Sequence, residues 1–501
     1  MKKIFLIPFI VLVLSVLVSQ SYAQDIFNAI RQGNIESVKN MIESDPELLN
    51  ANDGNYDPLF VATRLRKTEI AEYLISKGAD VNKIAADTSA FSPLEWTPVT
   101  EAIRTNNFEL VKFFIDKGAD MKVTTSLGES YLHFAVGMDR RELVGYLIDN
   151  GMDVNIVKNG NLTPLHIAVV TGLKDIAELL INKGADLSIK STDGGTPLHY
   201  AVAAGNNEIA DILRSHGAAD IPREFSVYRG AYLGAENPGM KAEPFAPELF
   251  LNIYRAHSNP AFSPDGKELY WECIFIQGNN DIPRVWFMKE ENGKWTAPRV
   301  APFAEYPSGG PAFYHDGNKL VYHSMRPRDN SNTPAKDLDF WYVERNGEGW
   351  SEPVNLGEEV NKDNSFEVFA VLAGDGTIYW NKGRQGLAKS VLRDGKYTQP
   401  EIIGDLFDTD YIDNCKAIDH IIIQSYIRKG PFNHELFISF HQPDGKWSKP
   451  VFMGDNIHQG KRANIGRVTI DGKHLFFMRN FSFYWIDAKI IEDLKSNNIK
   501  K

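Results

Sequence analysis

Cysteine is nearly absent: the 501 residues include two, Cys273 and Cys415, in widely separated segments. That excludes a disulfide framework as the source of stability, so the fold must rest on apolar cores and both thiols are expected to be buried. Long apolar runs are missing after the first 23 residues, which leaves no later segment near the roughly 20 residues a membrane-spanning helix needs. Low-complexity tracts, a glycine-rich phosphate loop, a paired metal motif and a nucleophile elbow are missing as well. No catalytic or metal site can be assigned from motifs, no cofactor is expected, and the chain is read as a non-enzyme.

An excess of positive charge is also lacking. Acidic residues outnumber basic ones 65 to 54, and the imbalance lies early: residues 25–220 hold 28 acids and 18 bases, residues 221–501 hold 37 and 34. An acidic surface repels phosphate backbones, which argues against nucleic acid as a partner. Its plain reading is solubility, and its functional one is attraction of a basic partner.

The chain opens with Lys2 and Lys3, an apolar run from Ile4 to Val18 and a small-residue exit at Ser21-Tyr22-Ala23. Residues 1–23 therefore read as a secretory signal peptide cut before Gln24, which leaves no transmembrane anchor and makes the protein periplasmic or secreted. The alternative, an uncleaved anchor, needs a longer run. The remaining length is enough for two or three cores.

From Gly160 to Asp193 runs one complete structural unit. Thr163 caps a short helix with Pro164 at its first position, Gly172 turns the chain, a second helix carries Ile176, Leu179 and Leu180, and Gly184 ends it. The unit recurs: the first helix's alanine appears at Ala29, Ala62, Ala102, Ala135, Ala168 and Ala201, in steps of 33 with a single step of 40. Thr-Pro-Leu-His stands in full at Thr163–His166 and Thr196–His199. These features are similar to the ankyrin repeat, and six copies are read over residues 24–220. The resemblance implies that His133, His166 and His199 hydrogen-bond between neighbouring repeats. It also implies that the loop tips (Asn52–Tyr56, Ser126–Glu129, Lys158–Asn161, Ser191–Gly194) form a binding surface. The insertion in the third repeat adds Phe91, Leu94 and Trp96 in a polar setting, as a partner contact or as a loop folded back on the protein.

After a linker over 221–243 the pattern changes to short alternating strands and turn residues. Ser263-Pro264-Asp265-Gly266 joins two strands, with echoes at Gly317, Gly376, His420 and Gly472, and a second hairpin end recurs as Trp295–Pro298, Trp350–Pro353, Tyr397–Pro400 and Trp447–Pro450. The turn resembles the TolB-type repeat, a relative of the WD-repeat blade. Residues 244–501 are therefore expected to form an all-β propeller of five blades, with six as the alternative, whose last blade is completed by the domain's N-terminal strand. The TolB resemblance implies a periplasmic or cell-surface module that contacts envelope proteins or cell-wall material.

Strands after the turns lead into Arg326, Lys382 with Arg384, Arg428 and Arg479. If the blades align, these ring one face as an anion site; otherwise they form a solvated face. Asp405, Asp408, Asp410 and Asp413 lack the glycine and glutamate of a calcium loop and are read as a turn. Glu272, Glu367 and Asp413 are the acids an enzyme would use. The reading is an exported recognition scaffold of mixed α and β build, with an envelope or secreted protein, or a cell-wall or glycan ligand, as partner. The alternatives are a propeller hydrolase or lyase acting on a glycan or peptide with the array as adaptor, and an immunity-like shield for a neighbouring protein.

Overall fold

The computed structural model describes residues 25–499 apart from 54–55, 87–94, 126–127, 222–227, 251–254, 257, 275–282, 329–333, 362–367, 373–374, 382–386, 403–410, 417–419, 428–432, 441, 443–447, 450, 459–463 and 480–481. The signal-peptide segment, Phe91, Leu94, Glu367, Arg384, Arg428 and Asp405 to Asp410 lie outside the described residues.

Twelve helices pair off along the first part. They are α1 (25–32), α2 (Ile35–Ser44), α3 (Pro58–Arg64), α4 (Thr68–Ser76), α5 (Pro98–Arg104), α6 (Phe108–Asp116), α7 (Tyr131–Gly137), α8 (Arg141–Asp149), α9 (Pro164–Thr171), α10 (Lys174–Asn182), α11 (Pro197–Ala203) and α12 (Asn207–Ser215). Each is too short to stand alone in water, so its stability comes from stacking. The alanines at 62, 102, 135, 168 and 201 are fully buried, which lets the helices pack closely.

Polar side chains fix where these helices start. Thr97, Ser130, Thr163 and Thr196 cap α5, α7, α9 and α11 in reciprocal capping boxes, and Pro stands at the first turn of three of them. In α7 and α9 the return partner is a histidine. Nδ1 of His133 accepts the Ser130 N–H at 3.2 Å, so Nε2 carries the proton and donates to the Leu162 carbonyl at 3.1 Å, one repeat on. His166 does the same with Thr163 and Gly195. The expected inter-repeat bonds are present for His133 and His166, whereas His199 of the last repeat bonds to the Ile221 carbonyl at 2.6 Å, in the chain beyond α12.

Burial pushes both imidazoles down to about 4 from an ordinary 6.5. They are neutral when folded, whereas the unfolded chain takes up their protons near pH 6.5. Stability from this source is complete above that value and is lost as pH falls toward 4, at up to about 3 kcal/mol per histidine. Urea midpoints followed by helical circular dichroism should therefore fall steeply between pH 6.5 and 4.5. His133→Gln with His166→Gln should flatten that slope; an equal slope in the variant would refute the assignment.

The second part is mainly β. Its strands, in chain order, begin with β1 (Glu243–Pro244) and a sheet of β2 (Arg255–Ala256), β3 (Ala261–Phe262), β4 (Glu268–Ile274), β5 (Arg284–Glu291) and β6 (Arg299–Val300). A second sheet holds β7 (Ser308–Phe313), β8 (Lys319–Ser324), β9 (Asp339–Asn346) and β10 (Val354–Asn355). A third holds β11 (Val368–Leu372), β12 (Ile378–Asn381), β13 (Leu387–Ser390) and β14 (Glu401–Ile402). A fourth holds β15 (Tyr411–Lys416), β16 (His420–Ile427), β17 (Asn433–Phe440) and β18 (Val451–Phe452). The last holds β19 (Asn464–Val468), β20 (His474–Arg479) and β21 (Ser482–Asp487), and β1 adds to β21 as its fourth strand. A C-terminal helix α13 (Lys489–Ile499) follows.

Inner strands of successive sheets lie side by side, and the arrangement is propeller-like. The expected count of five regular blades, with six as the alternative, is corrected to four. Four sheets follow one antiparallel four-strand plan, whereas the sheet that opens the region has its inner strand broken into β2 and β3, both paired with β4. Pro260 lies in the break and has no N–H to give, and Ser258 Oγ instead accepts the Glu272 N–H at 3.3 Å.

The seam between first and last sheets is aromatic. Phe245, which follows β1, is buried and lies 5.0–6.1 Å from the rings of Phe250, Phe262, Phe476 and Trp485. Residues 228–242 run across the same two sheets: Trp295 Nε1 donates to the Gly230 carbonyl at 2.8 Å, and Asn237 Nδ2 to Asp487 at 3.1 Å. A cavity of about 370 Å³ separates Leu198, His199 and Val202 of α11 from Thr296, Ala297 and Arg299 of the first sheet.

Candidate functional site

Three consecutive repeats place an arginine at one helical position, two residues after the buried alanine: Arg31, Arg64 and Arg104. Their side chains keep 43%, 33% and 30% of their surface in water. Contacts join them into one strip. Arg31 pairs with Asp53 at 3.1 Å, and Asp53 accepts the Tyr56 N–H at 3.1 Å. Tyr56 stacks on Phe60 with centroids 4.7 Å apart, and the Arg64 guanidinium lies 4.0 Å above the Tyr56 ring. Glu101, with no exposed surface, takes Arg64 at 3.1 Å and a forked pair of bonds from Arg104 at 2.6 and 2.9 Å.

Arg140 ends the strip, its Nη2 donating to the Arg104 carbonyl at 3.5 Å. It forms no ion pair with a carboxylate, its Nε is buried without a hydrogen-bond partner, and burial pulls its pKa down. Three guanidiniums thus share two carboxylates, and the fourth has no ion pair among the described residues. The strip carries net positive charge on an array that is negative overall, with an aromatic platform in its middle. Arginine and tyrosine of this kind are the side chains that dominate protein interfaces.

The loop tips are stitched rather than free. Lys158 Nζ meets Glu129 at 2.6 Å with both side chains buried, Asn161 donates to the Lys190 carbonyl at 2.6 Å, and Thr192 N–H to the Gly160 carbonyl at 2.8 Å. Trp96 also differs from an exposed contact. It stands in a two-residue pairing of Ala85–Ala86 with Glu95–Trp96, 8% exposed and 6.0 Å from the Phe134 ring, so it belongs to the array's packing.

In the β region, Arg326 is 3.7 Å from Glu305 and lies over Tyr306 and Trp341 in the second sheet. Arg479 is buried in the last sheet over Phe477 and Tyr484, and burial lowers its pKa. Each is held by aromatic rings of its own sheet region. Glu272 is 2% exposed and accepts the Gly310 N–H at 3.1 Å, pinning the inner strand β7 to the first sheet, with His323 Nε2 at 3.9 Å. Gly309 leaves room for that carboxylate: a Cβ there would stand 2.2 Å from Glu272 Oε2. This contact ties the first sheet to the second. Cys273 is buried, as expected. Among the described residues no group of three or more His, Cys, Asp or Glu converges as a metal site, and no helix is long and apolar enough to cross a membrane.

A model of three ankyrin repeats matches residues 85–158 and again 132–224, and a single-repeat model matches 55–86. Residues 55–224 are therefore ankyrin repeats, a module that marks a protein–protein interaction scaffold. The matches end at residue 224, and the TolB-type likeness of the β region rests on its turn motifs alone. No curated protein matches the chain.

Proposed function

We propose that this is an exported scaffold that recognises a protein partner in the cell envelope or outside it, through the strip from Arg31 to Arg140, with the propeller-like region as a second presenting surface. The observation that carries this reading is the strip itself: solvent-reached arginines and a stacked tyrosine joined across four repeats, the composition of an interface core. The signal-peptide pattern and the TolB-like turns support an envelope location, and Glu272, buried and bonded to the Gly310 N–H, gives the hydrolase or lyase reading no support.

The test is site-specific photocrosslinking in cells of the intact protein, with the crosslinker at Leu65, which is 40% exposed beside Arg64, and at Val354, 42% exposed in the β region. Leu65 should capture one discrete protein in the envelope fraction, and the recovered chain should begin at Gln24. Capture of nothing at Leu65, or an intracellular chain retaining residues 1–23, would refute the corresponding half of the proposal.

A further inference from the structure

We infer that the partner segment received by this strip is acidic: an Asp- and Glu-rich stretch of polypeptide. The inference rests on the recognition reading and adds the chemistry of the ligand. Charge complementarity carries it. Arg31, Arg64 and Arg104 share two carboxylates, Asp53 and Glu101, and Arg140 continues the run through the Arg104 carbonyl. Asp53 is spent on Arg31 and on the Tyr56 N–H, and Glu101 is shared by two arginines.

Arg140 supplies an independent observation. Its guanidinium is half-buried and, among the described residues, within ion-pair distance of no carboxylate; the neighbouring Asp139 acts on it only through its charge. Its buried Nε has no acceptor. A guanidinium without an ion pair of its own keeps its solvent-reached N–H donors for an incoming carboxylate. Carboxylates are the planar acceptors that match a guanidinium fork. The Tyr56 ring, already under Arg64, offers an apolar patch for the stem of a glutamate or a neighbouring apolar side chain. A nucleic acid fits less well, because a long phosphate chain would meet the array's acidic remainder beyond these four arginines.

The test uses the full-length mature protein and a fluorescein-labelled poly-glutamate peptide, read by fluorescence anisotropy. Binding should weaken as salt rises, since the contact is charge-based. Arg140→Glu should weaken it by about tenfold, a change of sign at a side chain that holds no ion pair. An unfolding curve recorded beside it should show the variant folded at the assay temperature, and Arg140→Gln, which removes the charge alone, should weaken binding in the same direction. Lys112→Glu, on the outer helix α6, alters net charge equally and should leave affinity within about twofold. Should Arg140→Glu and Lys112→Glu weaken binding alike, the strip is no site and only net charge matters. Oligothymidylate bound as tightly through Arg140 would overturn the acidic-polypeptide reading in favour of a polyanion. If poly-glutamate fails to bind while the Leu65 crosslinker still captures a protein, the recognition proposal stands and the acidic partner falls.

Discussion

Phe245→Ala is expected to destabilise the β region by about 3–5 kcal/mol, the range for emptying a buried phenylalanine site. Phe245 is 1% exposed and its ring meets four others drawn from both sides of the seam, so no single neighbour can relax into the space. The two backbone pairings of β1 with β21 are too few to hold the seam without that ring. Tryptophan fluorescence reads this directly, since of the nine tryptophans only Trp96 lies in the array. The fluorescence midpoint in urea should drop while the helical circular dichroism transition keeps its position. Deleting Ala242 to Asn252 should go further and abolish the fluorescence transition; a midpoint unchanged in both variants would mean that the ring does not depend on this closure.

Glu129→Ala should cost about 3–5 kcal/mol in the array, the usual penalty for removing one member of a buried ion pair. The pair joins residues 29 apart, with Lys158 and Glu129 side chains only 3% and 6% exposed. Loss of the carboxylate deprives a buried ammonium of a close counter-charge. Because the array's stability is a sum over repeats and their interfaces, the damage should fall at one junction and broaden the helical transition rather than shift it as a whole. Glu129→Leu combined with Lys158→Met should recover most of the loss, as apolar replacement of buried pairs often does. A double variant no more stable than Glu129→Ala would place the energetic weight of this junction elsewhere.

The periodicity carried the array almost completely. Alanine and glycine at fixed spacing locate every helix pair, because those residues serve backbone approach and helix ends whatever the surface does. The bonds of His133 and His166 were implied by the ankyrin resemblance. The arginine strip is present in the sequence too, two residues after Ala29, Ala62 and Ala102, but nothing in the repeat pattern distinguishes it from other surface positions. Net charge hides a local excess when opposite charges lie on another face. Polar neighbours in sequence left Trp96 open between a partner contact and a loop folded back on the protein; pairing with Ala85–Ala86 turns its ring inward against Phe134. The closing strand was legible from the missing hairpin end, but its brevity was not. The break at Pro260 was masked by a motif that reads equally well as the start of a strand.

The closure of the β region also orders events in time. β1 is the first strand after the array, while its partner β21 is the last described strand of the region. A chain emerging from its N-terminus can stack its repeats as they appear, one neighbour after another, but β1 must wait unpaired through more than two hundred residues of synthesis. Until Asp487 arrives, the ring remains an open ribbon with apolar edges, tethered to a finished array. Translation cut short anywhere in that interval would release a molecule with its recognition strip assembled and its second module unsealed.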